Sequence, residues 1–130
     1  MQIIKDKDLI AYRISIQAEM FAQNDNLDIL AKDLRDKLSN GNSLSEGDIK
    51  VLRKEIERLA YLFYEMEFGN YFIKKSESFK NKVIDRVLKK VIGYLGDKTI
   101  EDIYSFVRIK IFEDLETALT DEIKVEKNAN

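Results

Sequence analysis

Apolar residues recur every three or four positions along most of the chain, a spacing that predicts amphipathic helices. Proline is absent and there are only five glycines, so little in the sequence interrupts such helices. We therefore predict a mainly α protein, a helical bundle of four to five helices. The most regular stripes are Leu27, Leu30, Ala31, Leu34 and Leu38; Ile49, Leu52, Ile56, Leu59, Ala60, Phe63 and Met66; and Phe79, Val83, Val87, Val91 and Leu95.

Two helices are predicted in the first forty residues. The first covers about residues 6–23, and the opening MQII is expected to be either a short strand or a frayed helix start. The second covers residues 27–38 and carries charged side chains on its other face. Asn40-Gly41 ends this second helix, because both residues tolerate left-handed backbone.

Two longer helices are predicted next. The first of them begins near Ser45, since Ser45 and Asp48 have the spacing of a capping box, and it reaches a break or kink at residues 69–70. The following helix begins at Ser76 or Ser78 and ends at the glycine of the GDK turn.

The stretch IYSFVRIKIFEDL, residues 103–115, fits both a helix and a strand. A four-residue step of apolar positions from Ile103 to Leu115 favours a helix, and Thr99 with Asp102 has capping-box spacing. β-Branched residues that alternate with basic residues favour a strand. The local pattern on balance favours the helix.

The alternative is a short C-terminal β-hairpin that pairs residues 106–112 with the alternating stretch at 122–126. The domain prediction keeps both outcomes. It places a helical domain over residues 1–98, followed by residues 99–130 as a C-terminal helix or a small β appendage. The last residues, KNAN, are expected to form a loose tail.

The absence of cysteine and histidine excludes several kinds of site. The chain has no disulfide, no thiol or imidazole catalyst and no Cys/His zinc site. Glu65 and Glu67 lie among aromatic residues, but two positions apart on a helix they point in different directions, which argues against an acid–base pair. No nucleotide-binding or calcium-binding loop motif is present. We therefore expect a protein that is not an enzyme, with no catalytic residue, metal, cofactor or small-molecule substrate.

No part of the sequence resembles a targeting or membrane segment. The N-terminal MQIIKDKDLIAYR lacks an apolar core of signal-peptide length, and no apolar run approaches the ~18 residues that cross a bilayer. Together with the lack of cysteine, this predicts a cytoplasmic protein without a membrane partner.

Charge is segregated along the chain, although the formal net charge is only −2. Residues 71–92 carry seven basic and two acidic side chains, whereas residues 93–130 carry five basic and nine acidic ones. The basic block is either an ordinary solvated face or a contact surface for nucleic-acid phosphates or an acidic partner. The predicted nucleic-acid contacts are Lys74, Lys75, Lys82, Arg86, Lys89 and Lys90.

Six of the thirteen aromatic residues fall within residues 61–72. Core positions suit some of them, but one helix cannot bury all six against a single neighbour. Tyr61, Tyr64 and Phe68 share a face that is offset from the main apolar stripe, which indicates a surface for another subunit. The predicted partner interface is Tyr61, Tyr64, Phe68 and Tyr71.

Two segments resemble subunits of the archaeal GINS replication complex. FVRIKIFEDLETALTDEIKVEKNAN is similar to the opening of their small β domain, and DIKVLRKEIERLAYLFYEMEFGNYFIKK is similar to their long helix. The resemblance implies a non-catalytic scaffold of the replicative helicase, with a β appendage after the helical domain.

A second resemblance is to the small helical subunit of type III CRISPR effector complexes. GYLGDKTIEDIYSFVRIKIFEDLETAL is similar to the last helix of that subunit, and EIERLAYLFYEMEF is similar to an earlier one. This resemblance implies an all-helical protein that lines a nucleic-acid channel with basic residues. It also requires residues 103–119 to be helical.

The sequence thus predicts a non-catalytic interaction subunit of a nucleic-acid-handling complex. The GINS-like function is the first interpretation and the CRISPR-like function is the second. The expected partners are other protein subunits, including copies of this chain, with contact to a nucleic-acid backbone. A helical protein of phage type that binds and inhibits or regulates one protein partner is a third alternative.

Overall fold

The part of the chain that the structure describes folds as four α-helices, each antiparallel to its neighbour in sequence. The computed structural model describes the backbone of residues 6–128 and, within that span, the side chains of residues 11–12, 14–20 and 22–128. No strand occurs in the described span. The prediction of a mainly α bundle of four to five helices is confirmed. The helices are α1 (Asp6–Ser39), α2 (Glu46–Phe68), α3 (Glu77–Gly96) and α4 (Ile103–Asn128).

Helix α1 is continuous, so the prediction of separate helices over 6–23 and 27–38 is wrong. Each Asn or Asp between the two predicted helices costs up to about 0.7 kcal/mol in helix propensity. Leu27 and Leu34 are both fully buried. The burial of each contributes about 1.5–3 kcal/mol, which outweighs that cost. Contacts from Tyr12 to Glu65 and from Lys37 to Asp48 show that α1 pairs with the whole length of α2.

The predicted helix start at Ser45 is confirmed, and of the two predicted starts of the next helix, Ser76 and Ser78, the structure has Ser76. The Ser45 hydroxyl accepts from the Asp48 N–H and the Asp48 carboxylate accepts from the Ser45 N–H, both at 3.0 Å, which completes the capping box. Helix α2 stops at Gly69, whose φ of 63° lies in the left-handed region that glycine adopts without strain. Ser76 caps α3, with its hydroxyl accepting from the Phe79 N–H at 3.1 Å.

The prediction of a C-terminal β-hairpin is wrong, because residues 103–128 form one helix. Val107 and Ile111 are buried in the four-residue stripe, whereas Ile109 is 63% exposed, and strand alternation would have placed all three on one face. The helix propensity lost at β-branched residues totals about 1–2 kcal/mol, less than burial of the stripe contributes. Asp102, and not Thr99, caps the helix by accepting from the Ser105 N–H at 3.3 Å.

One hydrophobic core joins all four helices. Helix α4 contributes buried residues from Ile103 to Leu119 to the same cluster as Leu34 of α1, Ile56 of α2 and Val87 of α3. Residues 99–128 are therefore packed on the preceding helices and do not form a β appendage. The MQII segment and the last two residues of KNAN lie outside the described residues, and the first two residues of KNAN belong to α4. No described helix has the length and apolarity needed to cross a membrane.

Arg35 of α1 ties that helix to the far end of α3. Its guanidinium donates hydrogen bonds to carbonyl oxygens that end α3 or lie just after it. Such carbonyls have no partner within a helix, and a cation there also offsets the negative end of the helix dipole. The acceptors are the carbonyl oxygens of Tyr94, Leu95, Asp97 and Ile100, at 3.2, 2.8, 2.9 and 2.7 Å.

We expect Arg35→Met to lower the free energy of unfolding by about 2 kcal/mol, because several carbonyl oxygens lose a charged donor. Lys32→Met, at an exposed position one turn earlier on α1, is the matched control and should change stability by less than about 0.5 kcal/mol. Urea denaturation measures both. Equal stability of the two variants would show that the guanidinium bridge is not stabilising.

Asp48 makes the contact between α1 and α2 sensitive to acid. Lys37 donates to its carboxylate at 2.9 Å, and this bond, followed by the Ser45 N–H, holds the pKa of Asp48 below its ordinary value of 3.8. A carboxyl with a lowered pKa in the folded state stabilises the fold above its unfolded pKa. That contribution is lost as the pH falls through the folded-state pKa.

Asp48→Asn should therefore lower the melting temperature at neutral pH, and the difference from the wild type should shrink below about pH 4. Thermal unfolding followed between about pH 7 and pH 2.5 measures this. Glu116→Gln, at an exposed position of α4, is the control and should show no such convergence. A difference between Asp48→Asn and the wild type that stays constant across this range would contradict the linkage.

Candidate protein-interaction site

The aromatic residues of α2 divide between the core and the surface. Tyr64 is fully buried, so its assignment to a partner interface is corrected. It extends a four-residue stripe through Leu52, Ile56 and Ala60, a signal present in the sequence but overlooked in favour of the stripe through Phe63. Tyr61 is half-buried and meets the Phe72 ring edge-on at a centroid distance of 5.4 Å.

Tyr64 links α2 to α4 in the interior. Its hydroxyl donates to the Leu115 carbonyl oxygen at 2.6 Å, and its ring lies 4.5 Å from that of Phe72. Burial raises the pKa of Tyr64 well above its ordinary value, so the hydroxyl keeps its proton and remains a donor. Tyr64 therefore acts in the core as an apolar side chain with one satisfied polar atom.

Two residues of the predicted interface are exposed. Phe68 is 39% exposed at the last turn of α2, and Tyr71 is 38% exposed in the connection from α2 to α3. Ile73, in the same connection, is 49% exposed and was not predicted. The structure thus places three large apolar side chains within six residues at one end of the bundle.

The other helices bring further apolar side chains to that end. Tyr12 of α1 reaches Glu65, one turn before the end of α2. Val125 precedes Glu126, whose carboxylate lies 2.7 Å from the Lys75 amine. We call this surface the apolar end, and it comprises Tyr12, Phe68, Tyr71, Ile73 and Val125.

The opposite end of the bundle differs in chemistry. Its connections are NGNSLS (40–45) and DKTIED (97–102), in which the exposed residues are polar or glycine. The two apolar residues there, Leu44 and Ile100, are half-buried and pack against the core. Exposed aromatic residues therefore distinguish one end of the molecule from the other.

The basic block faces acidic residues of α4 over part of its surface. Arg86 reaches Asp121 at 2.8 Å and Glu122 at 3.4 Å. Lys90 lies 3.6 Å from Asp114, and Lys75 pairs with Glu126 as described above. Because α3 and α4 are antiparallel, the basic block and the acidic C-terminal block lie side by side. Part of the basic block therefore forms ion pairs with the acidic block of the same molecule.

The other three predicted nucleic-acid contacts point outward. Lys74, Lys82 and Lys89 are exposed, and no carboxylate among the described residues lies within 4 Å of them. On α3, Lys82 and Lys89 are two turns apart, about 10 Å along the axis. Asp85 lies between them and pairs with Arg53 of α2 at 2.9 Å. The outward basic surface is therefore narrower than the sequence predicted.

A buried carboxylate that sequence reasoning missed lies between α3 and α4. Asp114 is only 5% exposed and accepts a hydrogen bond from the Tyr94 hydroxyl at 2.5 Å. Burial and this bond raise the pKa of Tyr94 well above its ordinary value. Since both groups are partnered, the arrangement serves the packing of α3 against α4.

The described residues offer no grouping that would hold a metal ion, because no three of their acidic side chains converge. Glu65 accepts a hydrogen bond from Tyr12, and Glu67 is exposed at the penultimate residue of α2.

Comparison of the chain with protein-family models, with curated proteins and with solved structures gave no match. The resemblances to GINS subunits and to the small CRISPR subunit therefore stay predictions. Of the structural features they imply, the β appendage of the first is absent from the described residues. The helical 103–119 that the second requires is present within α4.

Proposed function

We propose that the protein is a non-catalytic interaction subunit that binds another protein through the apolar end. The observation that carries this proposal is that Phe68, Tyr71 and Ile73 are all exposed within six residues of one another. They lie at one end of the bundle, and the exposed residues in the connections at the other end are polar or glycine. Aromatic residues are enriched in protein interfaces, and clustered exposed apolar residues mark such surfaces.

The apolar end is held in place before any partner arrives. The Phe68 ring packs against the buried Tyr64 ring at a centroid distance of 6.0 Å. The Lys75 amine lies 4.6 Å from the centre of the Tyr71 ring and is itself anchored by Glu126. Side chains that are already ordered lose less conformational entropy on binding, which favours them as anchors.

Replacement of both Phe68 and Tyr71 by serine should weaken partner binding by about tenfold or more, because aromatic anchors carry much of the energy of an interface. The measurement is capture of partners from the native host with tagged protein, followed by titration of the purified partner. The matched control replaces Ile29 and Ile109 by serine, since these residues are 71% and 63% exposed on helix flanks.

Circular dichroism should show that both double variants remain helical. Loss of binding in the control variant, or unchanged binding in the Phe68/Tyr71 variant, would contradict a role for the apolar end. Tyr64 is unsuitable for this test. Its truncation would open a core cavity at a cost of about 3–5 kcal/mol, so lost binding would report on folding.

A second candidate function is that of a helical subunit which adds phosphate contacts to a nucleic-acid-binding assembly. Two observations favour it: residues 103–119 are helical, and Lys74, Lys82 and Lys89 have no carboxylate nearby in the described part of the chain. Their amines are free to approach a phosphate backbone, whereas Arg86 would first have to leave Asp121.

Charge reversal of Lys74, Lys82 and Lys89 to glutamate should weaken binding to single-stranded nucleic acid. It should also flatten the dependence of log K on log salt by about 0.7 for each lost phosphate contact. Fluorescence anisotropy at several salt concentrations measures both. Reversal of Lys32, Lys54 and Lys98, which are exposed elsewhere, is the control. Equal slopes for the two triple variants would identify the basic face as ordinary solvent surface.

A further inference from the structure

A separate feature of the bundle is the outer side of α1 and α2, which we call the α1/α2 face. Its two exposed apolar side chains are Ile29 of α1, at 71%, and Val51 of α2, at 50%, and both line one groove between the helices. Further along the same two helices, the half-buried Tyr61 and Leu62 line a second groove. The exposed residues of the α1/α2 face are Asp25, Ile29, Asp33, Lys50, Val51, Lys54 and Arg58.

Charged residues form two matching rows on this face. The row on α1 is acidic, because Asp25 lies one turn before Ile29 and Asp33 lies one turn after it. The row on α2 is basic, has the same four-residue spacing and comprises Lys50, Lys54 and Arg58. Residues four apart lie on one side of a helix, and each row is about 12 Å long. One surface therefore carries an acidic and a basic row of equal length side by side.

The two rows are antiparallel and lie at the same level of the bundle. Asp33 lines the first groove together with Val51, the residue that follows Lys50. Arg58, at the other end of its row, lines the second groove together with the α1 turn that precedes Asp25. Each acidic residue is therefore level with a basic residue of the neighbouring helix.

These charges make few contacts within the molecule. Asp33 lies 3.7 Å from the Lys37 amine, and Arg58 lies 3.1 Å from the Glu55 carboxylate. Each of these pairs joins residues of one helix near its solvent side, where ion pairs contribute little. The members of the rows with no oppositely charged group within 4 Å among the described side chains are Asp25, Lys50 and Lys54.

We propose that the α1/α2 face binds the same face of a second copy of this chain, related by a two-fold axis parallel to the helices. Such an axis lays α1 of each copy on α2 of the other at the same level. Asp33 of each copy then pairs with Lys50 of the other, and Asp25 pairs with Arg58 in the same way. The apolar side chains and the aliphatic stem of Lys54 pack between these pairs. An isologous interface requires a self-complementary surface, which the two rows provide.

The size of the face is sufficient for such a dimer. Helix α2 has 23 residues and is about 35 Å long, and two adjacent helices are about 20 Å wide. The face therefore measures about 700 Å², close to the ~800 Å² that each partner buries in a standard interface. The apolar end lies at the tips of the helices and stays uncovered in this dimer. The inference is therefore independent of the proposed function, and a monomeric variant should still bind a partner through the apolar end.

Charge reversal tests the pairing, with association followed by analytical ultracentrifugation at about 1–200 µM protein. The wild type should be dimeric at the upper end of this range. Asp33→Lys and Lys50→Glu should each weaken association by about tenfold or more, because each places like charges opposite one another twice in the dimer. Glu116→Lys, at an exposed position of α4, is the matched control and should associate like the wild type. A wild type that stays monomeric throughout, or reversals that leave association unchanged, would overturn the proposal.

A mixture of the two reversed chains tests the arrangement itself. A heterodimer of Asp33→Lys with Lys50→Glu has opposite charges at both contacts, so an equimolar mixture should associate with about the affinity of the wild type. Misfolded chains would not recover on mixing, and circular dichroism should show that both variants are helical. A mixture that associates as weakly as the separate variants would show that Asp33 does not face Lys50 of the other copy.

Discussion

The antiparallel packing of α3 against α4 is the interaction on which the rest of the structure depends. It buries the four-residue stripes of both helices, from Val83 to Leu95 and from Ile103 to Leu119. It also brings the basic block beside the acidic one, where Arg86 meets Asp121 and Glu122. These ion pairs are partly exposed and contribute little each, about 0–1 kcal/mol, so apolar burial supplies most of the stability and the charges favour one register.

Helix α1 is the element that gives the molecule two different ends. Its C-terminal half is held by the guanidinium of Arg35 against the end of α3 and by Lys37 against the start of α2. Its N-terminal half follows α2 to the apolar end, where Tyr12 reaches Glu65. The same course places Met20 of α1 and Phe112 of α4 in the lining of one surface cleft. The proposed protein surface thus depends on the continuity of one long helix.

The candidate site was only partly predictable. Phe68 and Tyr71 could be found because a helix has one buried side and an aromatic run wider than that side must leave residues exposed. Tyr64 could have been separated from them by its place in the four-residue stripe through Leu52, Ile56 and Ala60, but the acceptor of its hydroxyl, the carbonyl oxygen of Leu115, lies 51 positions away and could not be predicted. In the basic block, too, the sequence could not separate the side chains that point outward from those that pair with a carboxylate. Lys82 and Lys89 point outward, whereas Arg86, between them on α3, reaches Asp121 of α4; of these three side chains, Arg86 alone has a carboxylate within 4 Å among the described residues.

By itself, the sequence determined the helical class, the cap at Ser45 and an interruption at Gly69, and it narrowed the start of α3 to Ser76 or Ser78, because apolar period, capping and backbone freedom are local properties. It did not determine whether 103–115 is a helix, since a four-residue and a two-residue apolar period are both present there. Only burial against a partner helix stabilises the four-residue period. Tertiary structure decided that stretch, the continuity of α1, the acceptor of the Tyr64 hydroxyl, the burial of Asp114 and the pairing of opposite charges. Each of these depends on groups far apart in the chain, whose contact energies exceed the local preferences of a few residues.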